Sequence, residues 1–265
     1  MSAITFARPT KEVKRDRGRP LIVPPEGGKP IPYTRVSTLA KALDNKEALT
    51  RWKMRQVAIG LSTRPDLVDM AGAVSDDNSK LDEVVESAMR EARSDRAANI
   101  GTVLHKLSEA VDDGCDIDQL AQTYQPDLIA YRTAIAPLKQ IARECFVVND
   151  ELQAAGTFDR LLQLPDGRIV VADIKTGQHE PRFPHAVTTQ CAIYANAHLY
   201  DVDRGRIGYL PDHGVSTDIG LMIHLPAGTG RCDLYEIDLT VGLALARTAV
   251  AIHQAFKGSP IRPYP

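Results

Sequence analysis

The chain has 265 residues, 43% hydrophobic and 25% charged, proportions of an ordinary globular protein able to bury a substantial core. Thirty-two Lys and Arg against 34 Asp and Glu leave a net charge of -2, which excludes a global positive field but not a local basic groove. No apolar run approaches the roughly 18 residues of a membrane helix, since Arg247 interrupts the best stretch, and the Arg/Lys-rich start lacks a signal-peptide core, so a cytoplasmic protein with no membrane partner is expected.

Residues 1–32 hold six prolines, and Arg8 to Arg19 carry six basic and two acidic side chains. This composition predicts a poorly ordered tail, either solvated or in loose contact with phosphates. Gly27-Gly28-Lys29 is not a phosphate loop, because Val23 stands where the upstream Gly is required and Pro30 where Ser or Thr is required. No nucleotide is therefore expected.

A helical region follows over 33–97. Leu81, Val84, Val85, Ala88, Met89 and Ala92 recur at i, i+3, i+4 spacing behind Ser79 as N-cap. Trp52, the sole tryptophan, falls in a helical stretch over 46–61, where it serves either as a core residue or as a platform for a base. Ile100, Val103, Leu104, Leu107 and Val111 form the apolar face of a helix over 97–113.

Past Arg143 the period becomes extended. Strands are predicted at 145–152, 156–164 and 168–175, a helix at 186–200, strands at 206–210, 219–225 and 233–239, and a closing helix at 240–257. Strands with helices before, between and after them describe an α/β domain over 98–265, a mixed central sheet flanked by helices. Cys115, Cys145, Cys191 and Cys232 stand far apart with no Cys-x-x-Cys, so they read as reduced thiols, and neither a zinc knuckle nor an iron–sulfur cluster is expected.

The turn Leu164-Pro165-Asp166-Gly167-Arg168 is the most informative segment. Pro presets φ, Asp caps its own backbone and Gly accepts a positive φ, so a three-residue hairpin loop places Leu164 opposite Arg168. Asp159 lies five residues before Leu164 and Asp173 five after Arg168, which sets the two carboxylates directly opposite each other on one sheet face. Such a pair repels, at a cost of some tenths of a kcal/mol, unless a divalent cation with a taste for hard oxygen turns repulsion into attraction. Lys175, two residues beyond Asp173, points to the same face. The flanking Ile169, Val170, Val171, Ala172 and Ile174 look buried on both faces, against a plain solvent-facing strand of mixed charge.

These residues resemble the PD-(D/E)xK nucleases, in the RecB-type branch that includes CRISPR-associated and phage exonucleases. The resemblance rests on Gly101-Thr102-Val103-Leu104-His105, Gly156-Thr157-Phe158-Asp159, Asp173-Ile174-Lys175-Thr176-Gly177 and Gln190-x-x-x-Tyr194, in that order over roughly 98–200. It implies a restriction-endonuclease-like core. His105, Asp159, Asp173 and the main-chain carbonyl of Ile174 would hold Mg²⁺ or Mn²⁺. Lys175 would position or deprotonate the attacking water, and Gln190 and Tyr194 would support the lysine and the DNA backbone. Glu109, one turn beyond His105, and Glu151, at the end of the first core strand, are further acids of the kind found near such sites, or else surface charges. His179, Arg182 and His185, on the loop leaving the active strand, either guide the sugar-phosphate backbone or belong to an ordinary crossover. The chain departs from the pattern in two places: Phe158 replaces the literal Pro, and the clustered cysteines of the iron–sulfur members are absent.

The implied activity is a metal-dependent DNA exonuclease of phage or bacterial recombination, repair or replication, in the host cytoplasm if phage-encoded. The Tyr33-Thr34-Arg35-Val36-Ser37 opening is similar to actinobacteriophage members. A recombinase or annealing protein would be a natural partner. The alternatives are a structure-selective endonuclease with the same site and a catalytically idle DNA-binding or assembly module.

Overall fold

The computed structural model describes residues 6, 9–43, 47–92, 96–178 and 184–256. The N-terminal elements are strands β1 (Arg15–Asp16), β2 (Arg19–Ile22), β3 (Ile31–Pro32) and β4 (Thr34–Arg35), then helices α1 (Val36–Ala40), α2 (Glu47–Thr63), α3 (Pro65–Ala73), α4 (Asn78–Glu91), α5 (Arg96–Asp112) and α6 (Gln125–Ile135). Next come β5 (Lys139–Asn149), β6 (Ala154–Gln163), β7 (Ile169–Lys175), α7 (His185–Ala195), β8 (His198–Asp201), β9 (Gly205–Tyr209), β10 (Ile219–His224), β11 (Asp233–Asp238) and α8 (Leu239–Ala255). The chain divides into two compact units, Asn45–Asp113 and the remainder, Met1–Asp44 with Gly114–Pro265. The helix bearing His105 thus belongs to the helical unit, whereas sequence reading began the α/β core at residue 98.

The larger unit is mixed α/β. Its central sheet runs β11-β10-β7-β6-β5-β8-β9, with β4 added to the end of β6. The β7–β10 and β4–β6 pairs are parallel and the others antiparallel, so the sheet is mixed. Its register follows from turn chemistry. Leu164 donates its N–H to the Arg168 carbonyl at 2.8 Å, Gly167 (φ +92°) donates to Leu164 at 2.9 Å, and β6 pairs with β7 from Gln163↔Ile169 to Arg160↔Ala172, the predicted register. The β7 interior, Val170 to Ile174, is buried on both faces, as a central strand requires.

Helix α7 covers one sheet face, and α1 and α8 pack on α7. The crossing of α7 and α8 needs Gly242, where a Cβ would lie 2.4 Å from the Thr188 carbonyl. Periodicity carried the α7 helix to residue 200, but it ends at Ala195 and His198–Asp201 forms β8 instead, an override of local pattern by pairing with β5 and β9.

The other face is covered by the segment expected as a loose tail. Arg17 (φ +48°) and Gly18 (φ +79°) make a two-residue turn with both φ positive, the type that joins tight hairpins, and β1, β2 and β3 form a small sheet. Val13, Ile22 and Tyr33 then bury themselves against Phe146, Val148, Ala155 and Tyr200. A polar network fixes this layer. Arg206 donates from Nε to Asp150 at 2.6 Å, meets the same carboxylate through Nη2, and donates from Nη1 to the Val23 carbonyl at 2.8 Å. The Tyr33 hydroxyl donates to Asp150 at 2.8 Å. Burial pushes the Asp150 carboxyl up, but the Arg206 and Tyr33 hydrogen bonds outweigh it and hold the group below its usual range. Tyr33 is pushed up to about 12, by burial, then by its hydrogen bond to Asp150 and by the Asp150 charge.

Arg206→Ala is expected to destabilise the protein by about 2–3 kcal/mol, less than the loss of a fully buried partner because both side chains retain some contact with water. Chemical denaturation reads this; an unchanged midpoint would show that the network does not hold the N-terminal sheet.

The helical unit is built on α2, α3 and α4, whose core is Leu67, Val84 and Ala88 with Val57 and Leu61 packed against it. Asp77, rather than Ser79, caps α4: its Oδ1 accepts the N–H groups of Ser79 at 3.1 Å and Lys80 at 3.2 Å. Trp52 does not enter this core and stands 36% exposed on α2.

Candidate functional site

Strand β7 ends in a charged pair sheltered by α7. Asp173 is 2% exposed, and the Lys175 ammonium lies 2.5 Å from its Oδ2, both side chains on the face that strand alternation predicts. Gln190, on α7, donates from Nε2 to Asp173 Oδ1 at 2.9 Å and also lies 3.5 Å from the Tyr194 hydroxyl one turn on. Gln190 therefore orients the aspartate rather than the lysine. Tyr194, only 4% exposed, lies beneath the pair, not on a surface open to DNA.

The close approach of Tyr194 to β6 explains the glycine of the Gly156-Thr157-Phe158-Asp159 motif. A Cβ at Gly156 would meet the Tyr194 hydroxyl at 2.9 Å and its ring at 3.1 Å. Gly156→Ala is expected to cost about 1–3 kcal/mol by overpacking this contact. A melting temperature equal to that of the unchanged protein would show that the ring yields freely.

Asp159 meets Asp173 where the β6–β7 ladder stops. Regular pairing ends at Arg160↔Ala172, one step short of the two acids, and the Asp159 carboxylate takes over by accepting the Ile174 N–H at 2.9 Å. The strand geometry is interrupted here. Phe158 and Leu161, three residues apart, join one core cluster, as do Ala142 and Cys145 opposite them, whereas strict alternation would send each pair to opposite faces. Glu144, between the latter two, has φ +50°, an uncommon conformation for a side-chain-bearing residue. Such irregularities re-aim side chains beside functional sites.

Sequence reading missed two residues of this corner. Arg160 is fully buried, donates to the Asp159 main-chain carbonyl at 3.1 Å and stands 3.9 Å from Glu144 Oε1. Its signal was present in principle: an Arg between Asp159 and Leu161-Leu162 has to be either a strand-face charge or a buried anchor. Glu144 had no signal, because a positive φ at a Glu is not legible in the chain.

Electrostatically, Asp159 and Asp173 face the Lys175 ammonium, with the buried Arg160 guanidinium on the Asp159 main chain. Burial pushes Lys175 down, but the charge and hydrogen bond of Asp173, aided by Asp159, outweigh it and leave the pKa raised, so the side chain stays an ammonium. Cys191 is pushed well up by burial and then by Asp173, and Tyr194 well up by burial and then by Asp159 and Asp173. Burial thus favours the neutral thiol and the neutral phenol at these two positions.

The other expected residues fall elsewhere. Glu151 faces solvent in an ion pair with Arg247 of α8 at 2.7 Å, so it is a surface charge. His105 and Glu109 lie one turn apart on α5 of the helical unit, 3.4 Å from each other. His185 is exposed at the start of α7, and His179 and Arg182 lie outside the described residues. All four cysteines are free thiols, Cys145 and Cys191 buried and the other two partly so.

The donor set suits a hard divalent cation. Asp159 and Asp173 offer carboxylate oxygens on adjacent strands, and Asp173 already faces a cationic group, the Lys175 ammonium, at contact distance.

No protein-family model matches the chain, and no curated protein matches it. Among solved structures, one described as "Crystal structure of SSO0001" aligns with 83% of this chain and 75% of its own at 14% identity, with a TM-score of 0.32. Among the described residues, no helix is long and apolar enough to cross a membrane.

Proposed function

We propose that the chain is a divalent-metal-dependent deoxyribonuclease of the PD-(D/E)xK type, hydrolysing phosphodiester bonds from DNA ends. The observation that carries the reading is the corner made by Asp159, Asp173 and Lys175 under Gln190. A buried aspartate opposite a second acid, with a lysine two residues on, offers nothing that an apolar strand end would not give more cheaply to folding. The same three residue types at the same spacing are the working parts of the RecB-type branch.

Asp159, Asp173 and the Ile174 carbonyl would hold Mg²⁺ or Mn²⁺. When bound, the ion lowers the pKa of a coordinated water and offsets charge on the phosphate. Gln190 keeps Asp173 in one rotamer, so the carboxylate is preorganised. Lys175, held as an ammonium, places a positive charge where the pentacovalent phosphorane gains negative charge and orients the attacking water through its donors. Arg160 fixes the Asp159 main chain from the buried side.

The test is cleavage of end-labelled linear and circular DNA, single- and double-stranded, in Mg²⁺, Mn²⁺ or EDTA. Metal-dependent loss of linear DNA with circles spared is the expected result. Cut circles would shift the assignment to an endonuclease of the same fold. DNA binding without cleavage under either metal would mark an idle binding module.

A further inference from the structure

Within the helical unit, α2 differs from its neighbours in charge and in what it exposes. It carries Arg51, Lys53 and Arg55 against Glu47 alone, whereas α3 holds only the acids Asp66 and Asp69, and α4 sets Lys80 and Arg90 against Asp82, Glu83, Glu86 and Glu91. One side of α2 is consumed by packing: a Cβ at Gly60 would lie 1.9 Å from the Ala88 carbonyl, and Val57 and Leu61 pack on the α4 side. Off that contact stand Trp52, 36% exposed, and Ile59, 50% exposed, two turns apart. Arg55 lies three residues from Trp52 and four from Ile59, and Arg51 one turn before Arg55, so the four share a face. Arg51 pairs with Glu47, 2.6 Å away, in an exposed i,i+4 ion pair of the kind worth little in water.

An apolar aromatic surface bordered by cations is the pairing a single strand of nucleic acid needs. The ring stacks on an unpaired base, and the guanidinium groups meet the flanking phosphates. A duplex offers no base face to such a ring, and a purely apolar partner would leave the arginines without a role. We propose that this face of α2 binds single-stranded DNA, with Trp52 stacking on a base and Arg51 and Arg55 contacting the backbone. The choice of DNA rests on the nuclease reading; the geometry of the surface does not.

Because Trp52 is the only tryptophan, its emission reports directly on the contact. The full chain in EDTA is titrated with oligo(dT) and with the matching oligo(dA)·oligo(dT) duplex. Saturable quenching by the single strand, and weaker quenching by the duplex, is expected. With labelled oligo(dT), Trp52→Ala should weaken binding about tenfold or more, Trp52→Phe should restore most of it, and Arg55→Ala should reduce the slope of log K against log salt by about 0.7. Emission unmoved by saturating oligo(dT), or an unchanged Kd for Trp52→Ala, overturns the proposal. So does emission that shifts with protein concentration alone, which would make the face a contact between copies of the chain. Metal-dependent cleavage with a silent Trp52 would defeat this surface and leave the nuclease standing. A responding Trp52 with no cleavage in either metal would do the reverse.

Discussion

Asp173→Ala is expected to lower metal-dependent cleavage by about 10³-fold or more, equivalent to about 4 kcal/mol of transition-state stabilisation, with DNA affinity in EDTA changed only a few-fold. The reason lies in how Asp173 is held. It is buried, one oxygen meets Lys175 and the other Gln190, so its carboxylate cannot be replaced by a neighbour swinging in. Asp173→Asn keeps the shape and a hydrogen-bonding oxygen for Gln190 but removes the charge, so it should be nearly as inactive. That separates loss of cation binding from loss of packing. Thermal denaturation of both variants beside the cleavage assay completes the comparison, since a folded, DNA-binding, inactive Asp173→Asn is the decisive form. Wild-type turnover in either variant would take Asp173 out of the site.

Lys175→Ala is expected to reduce kcat by about 10²-fold, roughly 2.7 kcal/mol, with KM little changed. The side chain is 41% exposed, enough to reach a bound phosphate, while Asp173 fixes its ammonium at the strand end. Its raised pKa keeps it charged through the neutral range, so its contribution is charge and water orientation. An effect confined to KM would make Lys175 a binding residue and refute this role. Lys175→Met, which keeps the stem and removes the charge, should behave as Ala does; activity near wild type in Met but not in Ala would mean that packing of the stem was what mattered.

Both variants depend on a corner whose logic was largely readable. Pro165-Asp166-Gly167 determines a tight turn because each residue answers a φ requirement of that turn, and the register of β6 on β7 follows from it without tertiary information. The alternation of β7 likewise places Asp173 and Lys175 on one face, and the period of α7 puts Gln190 and Tyr194 together. These are short-range properties, governed by dihedral sterics and by periods of 2 and 3.6 residues. The apolar flanks of β7 announced a central strand for the same reason.

Other features depended on contacts distant in the chain. Nothing local to Arg206 or Asp150 shows that they meet, or that Tyr33 and Val23 join them, and so the basic, proline-rich start was read as loose when it covers a sheet face. His198–Asp201 became a strand because β5 and β9 offered edges to pair with, against a helical local pattern. Trp52 was weighed as core because apolar side chains usually find one; only the packing of α2 on α4 through Gly60 decides that its ring stays outside. The positive φ of Glu144 and the burial of Arg160 are likewise answers to a crowded corner. The sequence by itself determined the turn, the register and the spacing of the site residues, since these are set by neighbours a few residues apart. Which strand ends, helix faces and charges are covered or left to solvent was decided by tertiary structure, because burial is a property of surfaces brought together across the whole chain.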